Sequence, residues 1–148
     1  MIRDEEQHGS ATAQASGQLC VYAAGAAGRI YLSIDQAGVV RAFNGHVDLG
    51  TGIRTSLAQI VAEELDVPFN HVEMILGDTR TGPDQGATIA SETIQVTAIP
   101  LRQASATARA YLLDKAAAHL DAPRDRIILD EGVIRGSEGE NWNIPIGD

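Results

Sequence analysis

The chain has one cysteine, Cys20. A disulfide within the chain is therefore excluded, and neither an iron–sulfur cluster nor a structural zinc site can be built from its thiols, because both draw on several. Aromatic residues make up only 4%, so a core must be assembled from Val, Ile, Leu and Ala. Basic side chains are also scarce: 11 Lys and Arg stand against 20 Asp and Glu, a formal net charge of −9 with no basic stripe to offset it. That balance disfavours nucleic acid and anionic membrane surfaces as partners. There is no apolar run of about 20 residues, the length a membrane span needs, and no charged, apolar, small-residue pattern at the start. A cytoplasmic chain without a membrane span is expected. His8, His46, His71 and His119 are scattered without metal-binding spacing, which makes them surface or capping residues and leaves no metal site.

What is present suits one packed domain, since 148 residues can bury roughly 65–70% of their unfolded surface. Residues 1–28 are polar at first and then rich in Ala, Gly and Ser without a sustained period, and read as a flexible N-terminal arm. Residues 29–34 and 39–43 alternate as strands around the turn Asp35-Gln36-Ala37-Gly38, a β-hairpin. Ile53, Leu57, Ile60, Val61 and Leu65 recur at helical spacing, and Asp66-Val67-Pro68 ends that helix. Residues 72–76 form a third strand, followed by a loop to about residue 90 whose length marks it as functional. An Ala-rich helix from Glu92 to about His119 comes next, with Pro100 kinking it or in its first turn. A second hairpin spans residues 127–135. The order predicts an α+β fold with helices packed on one face of a mixed sheet, and it permits a parallel strand pair joined by the first helix.

Between the second strand and the first helix lies Gly50-Thr51-Gly52. Two glycines let the main chain approach a ligand closely, and a helix start offers unpaired N–H groups backed by the helix dipole. On spacing alone such a turn is more often plain strand-to-helix punctuation. Thr88, Ser91 and Thr93 place three hydroxyls within six residues ahead of the long helix. They can hold a phosphate, or Ser91 or Thr88 can be an ordinary N-cap.

The flanks favour the ligand-binding readings. Residues 45–55 (GHVDLGTGIRT) with 58–68, then Gly77-Asp78-Thr79, then residues 83–95 (PDQGATIASETIQ) and 100–104 resemble, in order, the molybdopterin-binding subunit of molybdenum hydroxylases of the xanthine dehydrogenase and aldehyde oxidase family. The wording is closest to the nicotinate dehydrogenase and isoquinoline oxidoreductase type and covers roughly residues 29–136. Residues 29–148 would then be a partial molybdopterin-binding domain.

The resemblance implies that Gly50, Thr51 and Gly52 lie beside the pterin and the metal centre. It also implies that the loop carrying Thr88, Ala90, Ser91, Glu92 and Thr93 holds the cofactor's phosphate. Thr51 stands where the family usually has glutamine, and a short hydroxyl replaces a long amide there. The implied cofactor is molybdenum-molybdopterin cytosine dinucleotide, bound in an assembled complex. The family's general base is a glutamate in a Gly-rich motif near the far C-terminal end of its subunit. Glu63, Glu64, Glu73, Glu92, Glu131, Glu138 and Glu140 do not sit in that motif, so no catalytic residue is assigned.

The implied partners are the remaining portion of the molybdopterin-binding subunit and iron–sulfur and FAD or cytochrome electron-transfer subunits. Apolar or small-residue helix faces that one small sheet cannot cover also suggest self-association. Two functions stay open: part of an oxidoreductase that hydroxylates an N-heteroaromatic such as nicotinate, or an aldehyde, and a non-catalytic, truncated or interaction module that retains the fold.

Overall fold

The computed structural model describes residues 12–15, 17–23, 28–137 and 141–148. Its main sheet has the spatial order β1 (Thr12–Ala15), β2 (Gln18–Tyr22), β3 (Ile30–Ile34), β4 (Val40–Asn44) and β5 (Val72–Leu76). The first three pairings are antiparallel, while β4 and β5 run parallel in the register Val40 to Val72 and Asn44 to Leu76. The sheet is therefore mixed, and α1 (Ile53–Leu65) is the crossover that a parallel pair requires.

Local chemistry accounts for the β3–β4 hairpin. Asp35 Oδ1 accepts the N–H groups of Ala37 at 3.0 Å and Val39 at 3.1 Å, and its other oxygen accepts from Arg41 at 2.8 Å. An aspartate at the head of a turn commonly folds it this way. Its carboxyl lies below the usual range, chiefly through the Arg41 bond.

α1 buries Ile53, Leu57, Ala58, Val61, Ala62 and Leu65 and ends at Asp66 in the left-handed region. Those side chains join Leu19, Val21, Leu32, Ile34, Val40, Ala42 and Met74 from the sheet and Leu101, Ala104 and Ala108 from the long helix α2 (Ala98–Leu120) in one core. Pro100 is in the first turn of α2, where a missing N–H costs least. A π-helical turn, Thr93–Thr97, precedes α2, and wide turns of this kind recur at functional sites.

A second sheet, β6 (Ile127–Asp130), β7 (Val133–Gly136) and β8 (Asn143–Pro145), closes the other end of the same core through Ile127, Leu129 and Ile134. The expected hairpin is present in it, and β8 was not foreseen.

The N-terminal arm needs correction. Residues 12–15 and 18–22 of the stretch expected to be flexible are strands of the main sheet, and Leu19 and Val21 are buried in the core. Residues 1–11, 16 and 24–27 of that stretch lie outside the described residues. The short alternation of Leu19 and Val21 is set among Ala, Gly and Ser and does not stand out, and pairing with β3 supplies what local sequence does not. Among the described residues no helix is long and apolar enough to cross a membrane.

Candidate functional site

β4 ends at Asn44, and the chain must turn from the sheet edge into α1 within eight residues. Gly50 (φ +92°) and Gly52 (φ +76°) make that turn in the left-handed region, and Gly52 is the N-cap of α1. A Cβ built at either would meet no protein atom within 4 Å. Their need for glycine is thus conformational within the chain, and the space beside them is open.

The turn before the helix is folded by a side chain of its own. Asp48 Oδ1 accepts the N–H groups of Gly50, Thr51 and Gly52 at 2.9, 3.0 and 3.2 Å, and Oδ2 accepts that of Arg54 at 3.2 Å. The carboxylate thus holds the N–H groups of the turn and, within α1, that of Arg54. These bonds, Arg54's foremost, keep the Asp48 carboxyl below its ordinary range.

The long loop returns to this turn along a fixed path. Gly77 N–H donates to Asn44 O at 3.0 Å, Ile30 N–H donates to Thr81 O at 2.9 Å, and the Arg29 guanidinium donates to the carbonyls of Thr79 and Gly82. Thr81 Oγ1 donates to Asp78 Oδ2 at 2.6 Å, the main reason that this carboxyl is also depressed. Farther on, Val47 N–H donates to Thr88 Oγ1 at 2.9 Å, which stitches the loop to the segment before Gly50. The two sequence-separated candidate segments now share a cleft of about 300 Å³, with Leu49, Thr51 and Ile53 on one wall and residues 88–91, Thr93 and Ile94 on the other. Leu49 is 71% exposed and Ile89 62%, so the mouth of the cleft is apolar.

Two neighbouring non-glycine residues in this wall are left-handed, Ala90 (φ +51°) and Ser91 (φ +58°). Each such residue costs roughly 1–2 kcal/mol, and strain of this kind collects at ligand-binding segments. Ala90→Gly is expected to raise stability by about 1 kcal/mol, less than the full relief because glycine also loosens the unfolded chain. Urea unfolding of the two proteins measures the difference.

The hydroxyls divide their work in a way the sequence did not suggest. Thr93 is buried, and its Oγ1 lies 2.8 Å from His46 Nδ1. Thr88 Oγ1 is taken by Val47. Neither Thr88 nor Ser91 caps the helix: the π turn begins after Glu92, with no side-chain cap. Only Ser91 of the three stands exposed at the cleft. Glu92 beside it is half-buried, and it does not line the cleft.

His46 also needs correction, since it is fully buried and not on the surface. Its Nε2 faces Gln85 O at 3.3 Å, an acceptor only, so Nε2 carries the proton and the Thr93 hydroxyl donates to Nδ1 when the ring is neutral. Gln85 in turn accepts the Gly45 N–H at 2.8 Å and donates to Thr97 O at 3.1 Å. Gly45 must be glycine, because a Cβ there would lie 2.5 Å from Pro83 O. Among the described residues no group of His, Cys, Asp or Glu is arranged to hold a metal ion.

A left-handed Gly turn and a strained, hydroxyl-bearing loop thus meet over a buried polar network. Residues 7–144 match the molybdopterin cofactor-binding domain family, and the chain belongs to it. Over 110 residues it is 56% identical to a nicotinate dehydrogenase subunit of Pseudomonas putida, covering 74% of this chain and 9% of that protein. The large subunit of nicotine 6-hydroxylase from Paenarthrobacter nicotinovorans is 28% identical over 101 residues, 68% of this chain and 12% of that one. The chain thus spans about a tenth of the length of these relatives.

Among solved structures, quinoline 2-oxidoreductase from Pseudomonas putida 86 matches with a TM-score of 0.64 and 25% identity, over 77% of this chain and 14% of that one. CO dehydrogenase from Oligotropha carboxidovorans matches in fold, with a TM-score of 0.68 at 24% identity over the same shares. The chain is a nicotinate dehydrogenase-like molybdopterin-binding domain of the molybdenum hydroxylase type.

The residues present fit part of such a cofactor. The cleft between Leu49, Thr51 and Ile53 and the wall that carries Ser91 is open to a flat group, and beside it Gly50 and Gly52 leave their Cβ positions empty. At about 300 Å³ the cleft is at the small end of ligand pockets, and it accommodates one edge of the cofactor, not the whole.

Proposed function

We propose that this chain forms one wall of the molybdenum-cofactor site in a hydroxylase acting on an N-heteroaromatic such as nicotinate, with molybdopterin cytosine dinucleotide as the cofactor form. The observation that carries the reading is the meeting of Leu49, Thr51 and Ile53 with residues 88–91, Thr93 and Ile94 at one cleft. When bound, the cofactor supplies the two-electron oxidation that places a hydroxyl on an electron-poor ring carbon. This chain's share is to shape and orient. Thr51 and the turn around it border one edge, Ser91 offers a hydroxyl from the other wall, and Leu49, Ile89 and Ile94 keep water from the seam once a partner surface closes on them. The remaining subunit portion would bring the general base, and iron–sulfur and FAD or cytochrome subunits would carry the electrons away.

The chain should be co-expressed with the remaining subunit portion and the purified complex assayed for molybdenum and cytosine nucleotide. Both should be present in proportion to the complex, and their absence from an intact complex would favour the non-catalytic reading. Single substitutions then separate the two hydroxyls. Ser91→Ala should leave thermal melting unchanged and lower molybdenum content, whereas Thr93→Val should cost about 1–3 kcal/mol by stranding His46. Full molybdenum occupancy in Ser91→Ala would remove Ser91 from the site.

A further inference from the structure

We propose that the groove between α1 and the π turn with the start of α2 is an interaction surface, and that its occupant is an apolar segment flanked by lysine or arginine from the remaining portion of the subunit. The inference deepens the proposed function and rests on it for the source of that segment. The groove has a volume of about 650 Å³, with Ile60 of α1 on one wall and Ile94 and Ile99 on the other. Ile94 also lines the cleft together with Leu49 and Ile89, so groove and cleft form one continuous surface. Ile99 is 53% exposed and Ile94 42%, in line with Leu49 and Ile89 at the cleft mouth. Single apolar side chains on a surface need no explanation, but large ones gathered along one groove mark a place that another protein surface covers.

The charges select the partner. Glu63 and Glu64 line the groove in the last turn of α1, where the negative end of the helix dipole disfavours them and no basic residue of that turn offsets it. Glu64 is paired with Arg102, whose Nε donates to it at 2.7 Å. Glu63 is exposed and has no ion pair among the described residues. The surface past Glu63 carries Glu131, and Asp66 with Arg109 paired to it at 3.2 Å. Both arginines are thus held within the chain, and the uncompensated charge is negative. A second copy of a chain whose formal net charge is −9 is a poor complement to that rim, whereas a cationic flank is a good one. The apolar centre would set the affinity of such a contact, and the Glu63 rim its salt dependence.

The test uses the 148-residue chain co-expressed with the remaining subunit portion and purified from cells grown without molybdate, so that assembly is read apart from cofactor binding. Size-exclusion with light scattering on serial dilution gives the dissociation constant of the complex. Ile99→Asp should weaken assembly at least about tenfold, because it sets a carboxylate in the apolar centre of the contact. Glu63→Lys should weaken assembly at low salt and leave it nearly unchanged at high salt, where the rim charges are screened. Ile128→Asp, at a comparably exposed isoleucine of β6, should change nothing. Unchanged assembly in Ile99→Asp would overturn the proposal, as would an equal loss in Ile128→Asp or the absence of any complex with the unsubstituted chain. A homodimer of this chain that Ile99→Asp dissolves would give the face to a second copy and overturn it as well. Should Ile99→Asp fail to fold, Glu63→Lys decides, and its indifference at low salt would overturn the proposal. A complex that meets these expectations and yet takes up no molybdenum when molybdate is restored would sink the cofactor reading and leave the docking face standing.

Discussion

Asn44→Leu is expected to lower the unfolding free energy by about 3 kcal/mol, because it strands buried polar groups and sets a bulkier side chain in a filled site. Asn44 is fully buried at the end of β4. Its amide nitrogen donates to Thr97 Oγ1 at 3.0 Å and to Thr97 O at 3.3 Å, while its oxygen accepts the His46 N–H at 3.0 Å. The Thr97 hydroxyl has one proton, which the shorter 2.9 Å bond to Thr93 O takes, so Asn44 is the donor to Thr97 Oγ1. Leucine would leave the His46 N–H without its acceptor and the Thr97 hydroxyl oxygen without its donor. Each costs about 1–3 kcal/mol. Guanidinium unfolding measures the total, and a loss below about 1 kcal/mol would mean that water or a shifted Gln85 takes over both contacts. Amide exchange in residues 85–97 should also quicken, because Asn44 and Gln85 jointly pin the π turn.

The fate of these residues shows how much was legible beforehand. α1 could be read to the residue, because Ile53, Leu57, Val61 and Leu65 keep strict helical spacing between a glycine turn and a proline. The β3, β4 and β5 strands were legible, and the parallel pairing was an arrangement that the intervening helix permitted. Gly50–Gly52 and the hydroxyl loop were legible as segments, yet their meeting at one cleft is a tertiary fact that no local pattern encodes.

The polar network was missed because a histidine and an asparagine at a strand end look like surface residues. Their burial depends on Gln85 and Thr97, tens of residues away. A trace existed in Thr93 and Thr97, two hydroxyls four apart that face the core on the first turns of an otherwise Ala-rich helix. Asp48 left a plainer one. Asp-Leu-Gly is the pattern in which an aspartate bonds the main chain two residues on, and here it folds the turn that leads into α1.

Gly52→Val should abolish cofactor retention in the assembled complex while costing the isolated fold only about 1–3 kcal/mol. Two separate effects are involved, and the structure parts them. The first is conformational: φ +76° and ψ 17° at the N-cap of α1 are a poor fit for a β-branched residue, and the strain falls on a turn, not on the core. The second is steric toward the ligand alone. With no protein atom within 4 Å of the added Cβ, the new side chain starts into open space, which on the proposed reading is where the cofactor edge would lie. Gly52→Ala carries most of the backbone strain with far less bulk, so it should lose a comparable amount of stability and keep more molybdenum. Melting temperature and molybdenum content measured on the same preparations of all three proteins separate the effects. If Gly52→Val melts early yet retains full molybdenum, the glycine serves only to turn the chain into α1, and the cofactor edge lies elsewhere in the assembled subunit.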